Sequence, residues 1–166
     1  SFPAPEAAVL ASKGRRVVVL EKEKFPRYHI GESLIPYTYF PLERIGLIEK
    51  MKASHFPKKY SVQFVSSDGR ASQPFYFFEH LEHEAAKTWQ VLRSELDEML
   101  LTNAREHGVE VEEGVHVLGV LWEGERAVGV RVKRADGTEQ EVRAKVVVDA
   151  SGQSSMIMDR MNLREW

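Results

Sequence analysis

The chain contains no cysteine. Disulfides, thiol nucleophiles and thiolate metal sites are therefore excluded. No apolar run approaches the roughly 20 residues that a membrane-spanning helix requires, and no signal-peptide pattern opens the sequence. Together these absences predict a cytoplasmic chain with no membrane span. Neither sign of charge dominates: 23 basic and 25 acidic residues leave a net charge of -2, which gives no ground for a nucleic-acid partner. Internal repeats and low-complexity segments are also missing. The six histidines are scattered. His80 and His83 sit three apart in EHLEHE, residues 79–84, but no third histidine follows at a useful spacing, so no metal site is expected. His29, His55, His107 and His116 form no pattern with a serine and an acid.

What remains is an ordinary globular composition, 43% hydrophobic and 29% charged over 166 residues, enough for one domain with a core of its own. Two stretches organise it. In RRVVVLEKE, Arg15 to Glu23, the apolar run Val17–Leu20 ends on Glu21. A short β-branched run bounded by charge reads as a strand buried on both faces. An acid at the carboxyl end of such a strand is where dinucleotide-binding folds hold a ribose, because a carboxylate accepts hydrogen bonds from both hydroxyls. KVVVDASG, Lys145 to Gly152, has the same build. The two runs are expected as neighbours in one parallel sheet, with a ligand at their carboxyl ends.

Around these strands the local signals are readable in order. Glu6–Lys13 is alanine- and leucine-rich and predicts a short helix stopped by Gly14. Such a helix normally follows a strand and a glycine-rich turn; here Phe2, Pro3 and Pro5 stand where those glycines belong. Lys24–Pro36 is an irregular loop punctuated by Pro26, Gly31 and Pro36. Residues 41–52 predict one helix, with Leu42, Ile45, Ile48 and Met51 on its apolar face. Tyr60, Val62 and Phe64 alternate with polar residues, and an Asp68-Gly69 turn leads to an aromatic strand at 75–78, which together read as a hairpin. Arg93–His107 is the strongest helix, with a Ser94/Asp97 capping arrangement, an apolar stripe of Leu92, Leu96, Met99, Leu100 and Ala104, and a stop at Gly108. Residues 109–143 predict an antiparallel meander inserted before the last core strand. The tail from Ser154 has helical character.

Three of these segments, RRVVVLEKEKFPRYHIGESLIP, WQVLRSELDEMLLTNAREHGVEV and KVVVDASGQSS, resemble the FAD-binding domain of flavin-dependent oxidoreductases, in the group of flavin-dependent halogenases and geranylgeranyl reductases. The resemblance implies an α/β, Rossmann-like FAD-binding domain with a parallel core sheet, an inserted antiparallel β-meander and a β-hairpin. It further implies a single, truncated domain over 1–166, lacking the glycine-rich phosphate loop and the C-terminal part that completes the substrate pocket. FAD is the implied cofactor, a small molecule the implied substrate, and NAD(P)H or a flavin reductase the implied electron source.

On this view Glu21 holds the adenosine ribose. Gly31 lets the backbone approach a ligand, Ser33 donates to a phosphate or ribityl oxygen, and Arg27 pairs with Glu32 or with pyrophosphate. Arg93 carries its charge at the positive end of a helix, which asks for an anionic partner; the resemblance makes that partner the cofactor. Asp149 to Gly152 lie along the ribityl and pyrophosphate portion, and Val117 offers its backbone to adenine. Lys58 and Lys59 are the candidates for chemistry, and Lys59 lies in KYSVQF. It partly matches the active-site lysine segment of the halogenases, although Ser61 replaces a glycine and the tryptophan-rich halogenase motif is absent. Loss of the glycine turn removes about two charge-assisted hydrogen bonds, roughly 3–6 kcal/mol or two to four decades of affinity. The 166-residue chain alone is thus expected to bind FAD weakly or not at all. The alternative function is a non-catalytic remnant that keeps the fold and not the tight flavin site.

Overall fold

The computed structural model describes residues 3–152 and 155–163. Two compact units are present: Ser1–Arg27 with Leu101–Trp166, and Tyr28–Leu100.

In the first unit, helix α1 (Ala4–Ser12) buries Ala4, Ala7 and Ala8 and lies against strand β1 (Val18–Glu21). β1 pairs in parallel with β6 (Glu110–Glu113), Val18 opposite Glu110 and Glu21 opposite Glu113. VEVEE therefore does not belong to the antiparallel meander, as its alternation suggested. A parallel partner needs a long crossover, and α4 (Arg93–Glu106), ended by Gly108, is the element that supplies the return. Only Val19 of β1 is buried. Val18 is 37% exposed and Leu20 half-buried, so the expected burial on both faces is not met.

The meander is β7 (His116–Glu123), β8 (Arg126–Lys133) and β9 (Glu139–Arg143), in that spatial order. Arg134, just past β8, forks onto Glu112 of β6 at 3.0 and 2.9 Å. Arg105 of α4 and the N–H of Phe25 both bond Glu113, at 2.6 and 2.8 Å.

Lys145–Asp149 corrects the central expectation. It forms no strand, and Val146 and Val148 are 75% and 64% exposed. A valine run becomes a strand only where a neighbour satisfies its N–H and C=O groups. β1 pairs with β6, and among the described residues no other ladder is offered to either run. The two acid-ended valine runs are not paired neighbours. Helix α5 (Met156–Arg160) follows, within SMIMDRMNL, residues 155–163, the part of the tail with helical character; Ser154 lies outside the described residues.

In the second unit, a 3₁₀ turn at Pro36–Thr38 leads into α2 (Tyr39–Arg44) and then α3 (Ile48–Ala53). The single helix predicted over 41–52 is thus two. Gly46 adopts φ +70 between them and donates to the Glu43 carbonyl, a left-handed stop that ends α2. The predicted face survives the break: Leu42, Ile45, Ile48 and Met51 are all buried. β2 (Lys58–Lys59) pairs antiparallel with β5 (Thr88–Trp89). β3 (Ser61–Val62) pairs antiparallel with β4 (Phe75–Tyr76), giving the expected hairpin. Phe77–Glu79 is a 3₁₀ turn, so the aromatic strand is shorter than predicted.

Helix α4 buries Leu96, Leu100, Leu101 and Ala104, while Leu92 is 48% exposed and lies before the helix. Because α4 starts at Arg93, Ser94 sits inside its first turn and is not a cap. Asp97 and Asn103 are buried among the apolar side chains. Among the described residues, no helix is long and apolar enough to cross a membrane.

Candidate functional site

The candidate residues are divided between the two units, and those of the second unit meet around Gly31. In the second unit the loop around Gly31 is pinned along one edge. The Val91 N–H donates to the Glu32 carbonyl at 2.7 Å, and the Leu34 N–H donates to the Trp89 carbonyl at 3.1 Å, with Ser33 bridging Gln90. A loop predicted as irregular thus becomes the antiparallel neighbour of the segment that leads into α4. Gly31 has φ +109, and a Cβ there would lie 3.0 Å from the Arg93 guanidinium. Both the conformation and the close approach require glycine. Gly31, Glu32 and Ser33 are exposed.

Arg93 has found an internal partner. Its Nε and Nη2 donate to the two oxygens of Asp97 at 3.0 and 3.1 Å, and Nη1 donates to the Ile30 carbonyl at 2.9 Å. A cation at a helix start is unfavourable; an acid one turn later on the same face answers it. Asp97 enters the sequence reading only as a capping partner; in the structure it is the buried acid that holds Arg93, and an arginine and an acid four apart on one helix are the local signal of that pair.

Lys59 meets the same loop. Its Nζ donates to Ser33 Oγ at 2.7 Å and to the Leu34 carbonyl at 3.2 Å. Lys58, the adjacent strand residue, projects to the opposite face, where its ammonium stands 4.2 Å from the Trp89 ring centroid. Burial holds the Lys58 amine below its ordinary range. Of the two lysines only Lys59 reaches the glycine loop.

In the first unit, Glu21 closes β1. One carboxylate oxygen accepts the Glu23 N–H at 2.9 Å, and the Glu21 carbonyl accepts the Val115 N–H at 2.9 Å. Arg27 lies over the Phe25 ring at 5.1 Å, and its Nε is buried without a hydrogen-bond partner. Val117 pairs with Val132 at the start of β7, next to an irregularity in the ladder before Gly119. Asp149 organises the turn after the valine run. One oxygen accepts the N–H and hydroxyl of Ser151, and the other accepts the Ile157 N–H at 2.8 Å at the start of α5. Burial pushes the Asp149 carboxyl up, but the Ile157 and Ser151 donors outweigh it and hold it below the usual carboxylate range. Gly152 ends this turn.

The two histidines of EHLEHE do separate structural work. His80 stacks on Phe75 at 4.2 Å, and His83 Nδ1 accepts the Ala85 N–H at 3.0 Å. Among the described residues no group of three His, Asp or Glu side chains is arranged to hold a metal.

Known proteins are similar to this chain in sequence and fold. The chain is 42% identical over 145 residues to a brominase of 1H-pyrrole-2-carbonyl groups on a peptidyl-carrier protein, from Pseudoalteromonas luteoviolacea, covering 87% of this chain and 34% of that protein. It is 40% identical over 158 residues to a flavin-dependent halogenase of Armillaria mellea, covering 93% of this chain and 31% of that protein. Among solved structures, the myxobacterial chondrochloren halogenase superposes with a TM-score of 0.85 at 40% identity, over 92% of this chain and 35% of that one. A flavoprotein/dehydrogenase from Cytophaga hutchinsonii superposes with a TM-score of 0.86 at 33% identity, over 99% of this chain and 41% of that one. The chain therefore spans about a third of the length of the curated relatives it matches. The fold is the Rossmann-like one of these FAD-dependent enzymes. A family model described as FAD binding domain matches residues 5–165, so the chain belongs to the FAD binding domain family, and FAD is the cofactor of that family.

Proposed function

We propose that this chain is the FAD-binding portion of a flavin-dependent halogenase. The observation that carries the proposal is Lys59 held on Ser33 and Leu34, beside Gly31, by two hydrogen bonds. The ammonium, which also stands 5.5 Å from the Phe77 ring centroid, is thus a cation held in place to bind or protonate a reacting group. The halogenase names of the relatives support the same reading.

The residues fit FAD at several points. Glu21 keeps a carboxylate oxygen for ribose. Arg27 has a buried Nε without a partner, which suits a diphosphate oxygen. Gly31 presents an exposed backbone for close approach. Glu32, Ser33, Val117, Asp149 and Gly152 complete the proposed contacts, and Arg93 acts by shaping the loop. We take 1–166 as one FAD-binding domain, in keeping with the family match over 5–165. FAD, when bound, supplies the redox chemistry; the chain binds it, orients it and shields it from water. The proposed substrate is an electron-rich small molecule, free or on a carrier protein, with electrons from NAD(P)H or a flavin reductase.

Titration of the purified 166-residue chain with FAD separates part of this. Weak or no binding is expected, about two to four decades below that of a complete flavoprotein; tight stoichiometric binding with a shifted flavin spectrum would contradict it. The longer protein carrying this segment, given reduced FAD, oxygen and bromide, should brominate an electron-rich pyrrole. A flavin-loaded protein inert in that assay overturns the halogenase reading.

A further inference from the structure

Asp97 has no place in the functional reading above, yet it is fully buried and its carboxylate faces a single guanidinium. That guanidinium is planar and rigid. Engaging Nε and Nη2 at Asp97 therefore fixes where Nη1 points. Nη1 donates to the Ile30 carbonyl at 2.9 Å and stands 3.5 Å from the Gly31 carbonyl. Two successive carbonyls thus face Arg93. Both peptides are trans, since the one cis bond among the described residues is Phe25–Pro26. In a trans peptide the N–H points opposite to the C=O. The amides of Gly31 and Glu32 are therefore directed away from Arg93. Among the described residues neither N–H has a hydrogen-bond partner, and both residues are exposed.

We propose that Asp97 is a positioning residue that acts through Arg93 to hold the Gly31 and Glu32 amides outward, as paired donors for a phosphate-type anion. Asp97 touches no ligand itself. Its carboxylate orients the fork, the fork turns the two carbonyls, and the carbonyls set the two N–H groups. Gly31 belongs to the same device, because only its missing Cβ admits the guanidinium at this distance. Adjacent backbone N–H groups that share one direction are suited to an anion. The anion class rests on the FAD reading; the positioning role does not.

The test is backbone NMR of the 166-residue chain, wild type and with Asp97→Asn or Arg93→Lys. Arg93→Lys keeps a cation beside the buried acid but removes the fork. It thus guards against an Asp97→Asn variant that fails to fold. The expected result is a change of amide shift at Gly31–Leu34 besides that of α4 around the substituted residue, with the resonances of β7 and β8 unmoved. Unmoved Gly31 and Glu32 amides in both variants overturn the positioning role. In wild type, inorganic pyrophosphate should shift those two amides, and either variant should weaken that response about tenfold or more. A wild type blind to pyrophosphate overturns the anion class and leaves the FAD reading to the assay of the longer protein. A response kept at full strength in the variants overturns the positioning role alone.

Discussion

At the scale of single residues, the informative side chains are those whose partners lie far along the chain. Lys59 is recognisable as a strand lysine in an unusual segment. Its attachment to Ser33, 26 residues away, has no local signature, because a hydroxyl near a glycine reads the same with or without an amine beside it. The functional reading predicts that Lys59→Met lowers turnover of the whole flavoprotein by about a hundred- to ten-thousandfold, the usual range for a lost proton-transfer group. Flavin affinity, titrated on the same preparation, should stay at wild-type level. Turnover that survives the substitution removes Lys59 from the chemistry. Arg93 shows the converse case. Its charge at a helix start correctly signalled an anionic partner, but the first partner is the buried Asp97 on the same helix.

At the scale of elements, apolar periodicity located helix faces and hydrogen-bond partners decided strands. Leu42, Ile45, Ile48 and Met51 are buried whether or not Gly46 divides their helix, because burial follows the stripe and not the continuity of the turns. Leu101 of α4 is fully buried, so Leu101→Ala should cost about 2–5 kcal/mol in urea unfolding. Val148, in the unpaired valine run, is 64% exposed, and Val148→Ser should lie within about 0.5 kcal/mol of wild type. Equal costs for the two substitutions would mean that 145–149 packs as a core strand after all. Composition cannot distinguish Val17–Leu20 from Val146–Val148. One has β6 beside it and the other has no ladder.

At the scale of the whole molecule, the net charge of -2 hides carboxyls with specific donors. Asp68 is held low by Ser66 and Arg70, and Asp136 by Thr138. Glu84 is held low by Lys52 and Tyr39. In Glu113, as in Asp149, burial pulls upward, but the Phe25 N–H and Arg105 outweigh it. Each of these groups titrates lower in the folded chain than in the unfolded one. Their contribution is therefore complete above the ordinary carboxylate range and is lost as pH falls through the lowered values. Thermal melts followed by circular dichroism should hold a plateau above about pH 5 and fall below about pH 4. Asp149→Asn should flatten part of that fall. A melting temperature that rises on acidification would contradict the assignment of these donors.

By itself the sequence determined the family, the acid at the end of β1, the buried faces of the helices, the hairpin and most of the meander. These depend on neighbours within a few residues, where side-chain period and backbone preference act directly. Only the tertiary structure decided that β1 takes β6 as its parallel partner, that Lys145–Asp149 stays outside the sheet, and that Lys59 and Arg93 meet the Gly31 loop. Each of these is a choice of hydrogen-bond partner between distant segments. Many segments offer the same donors and acceptors, and the packed chain brings only some of them within reach.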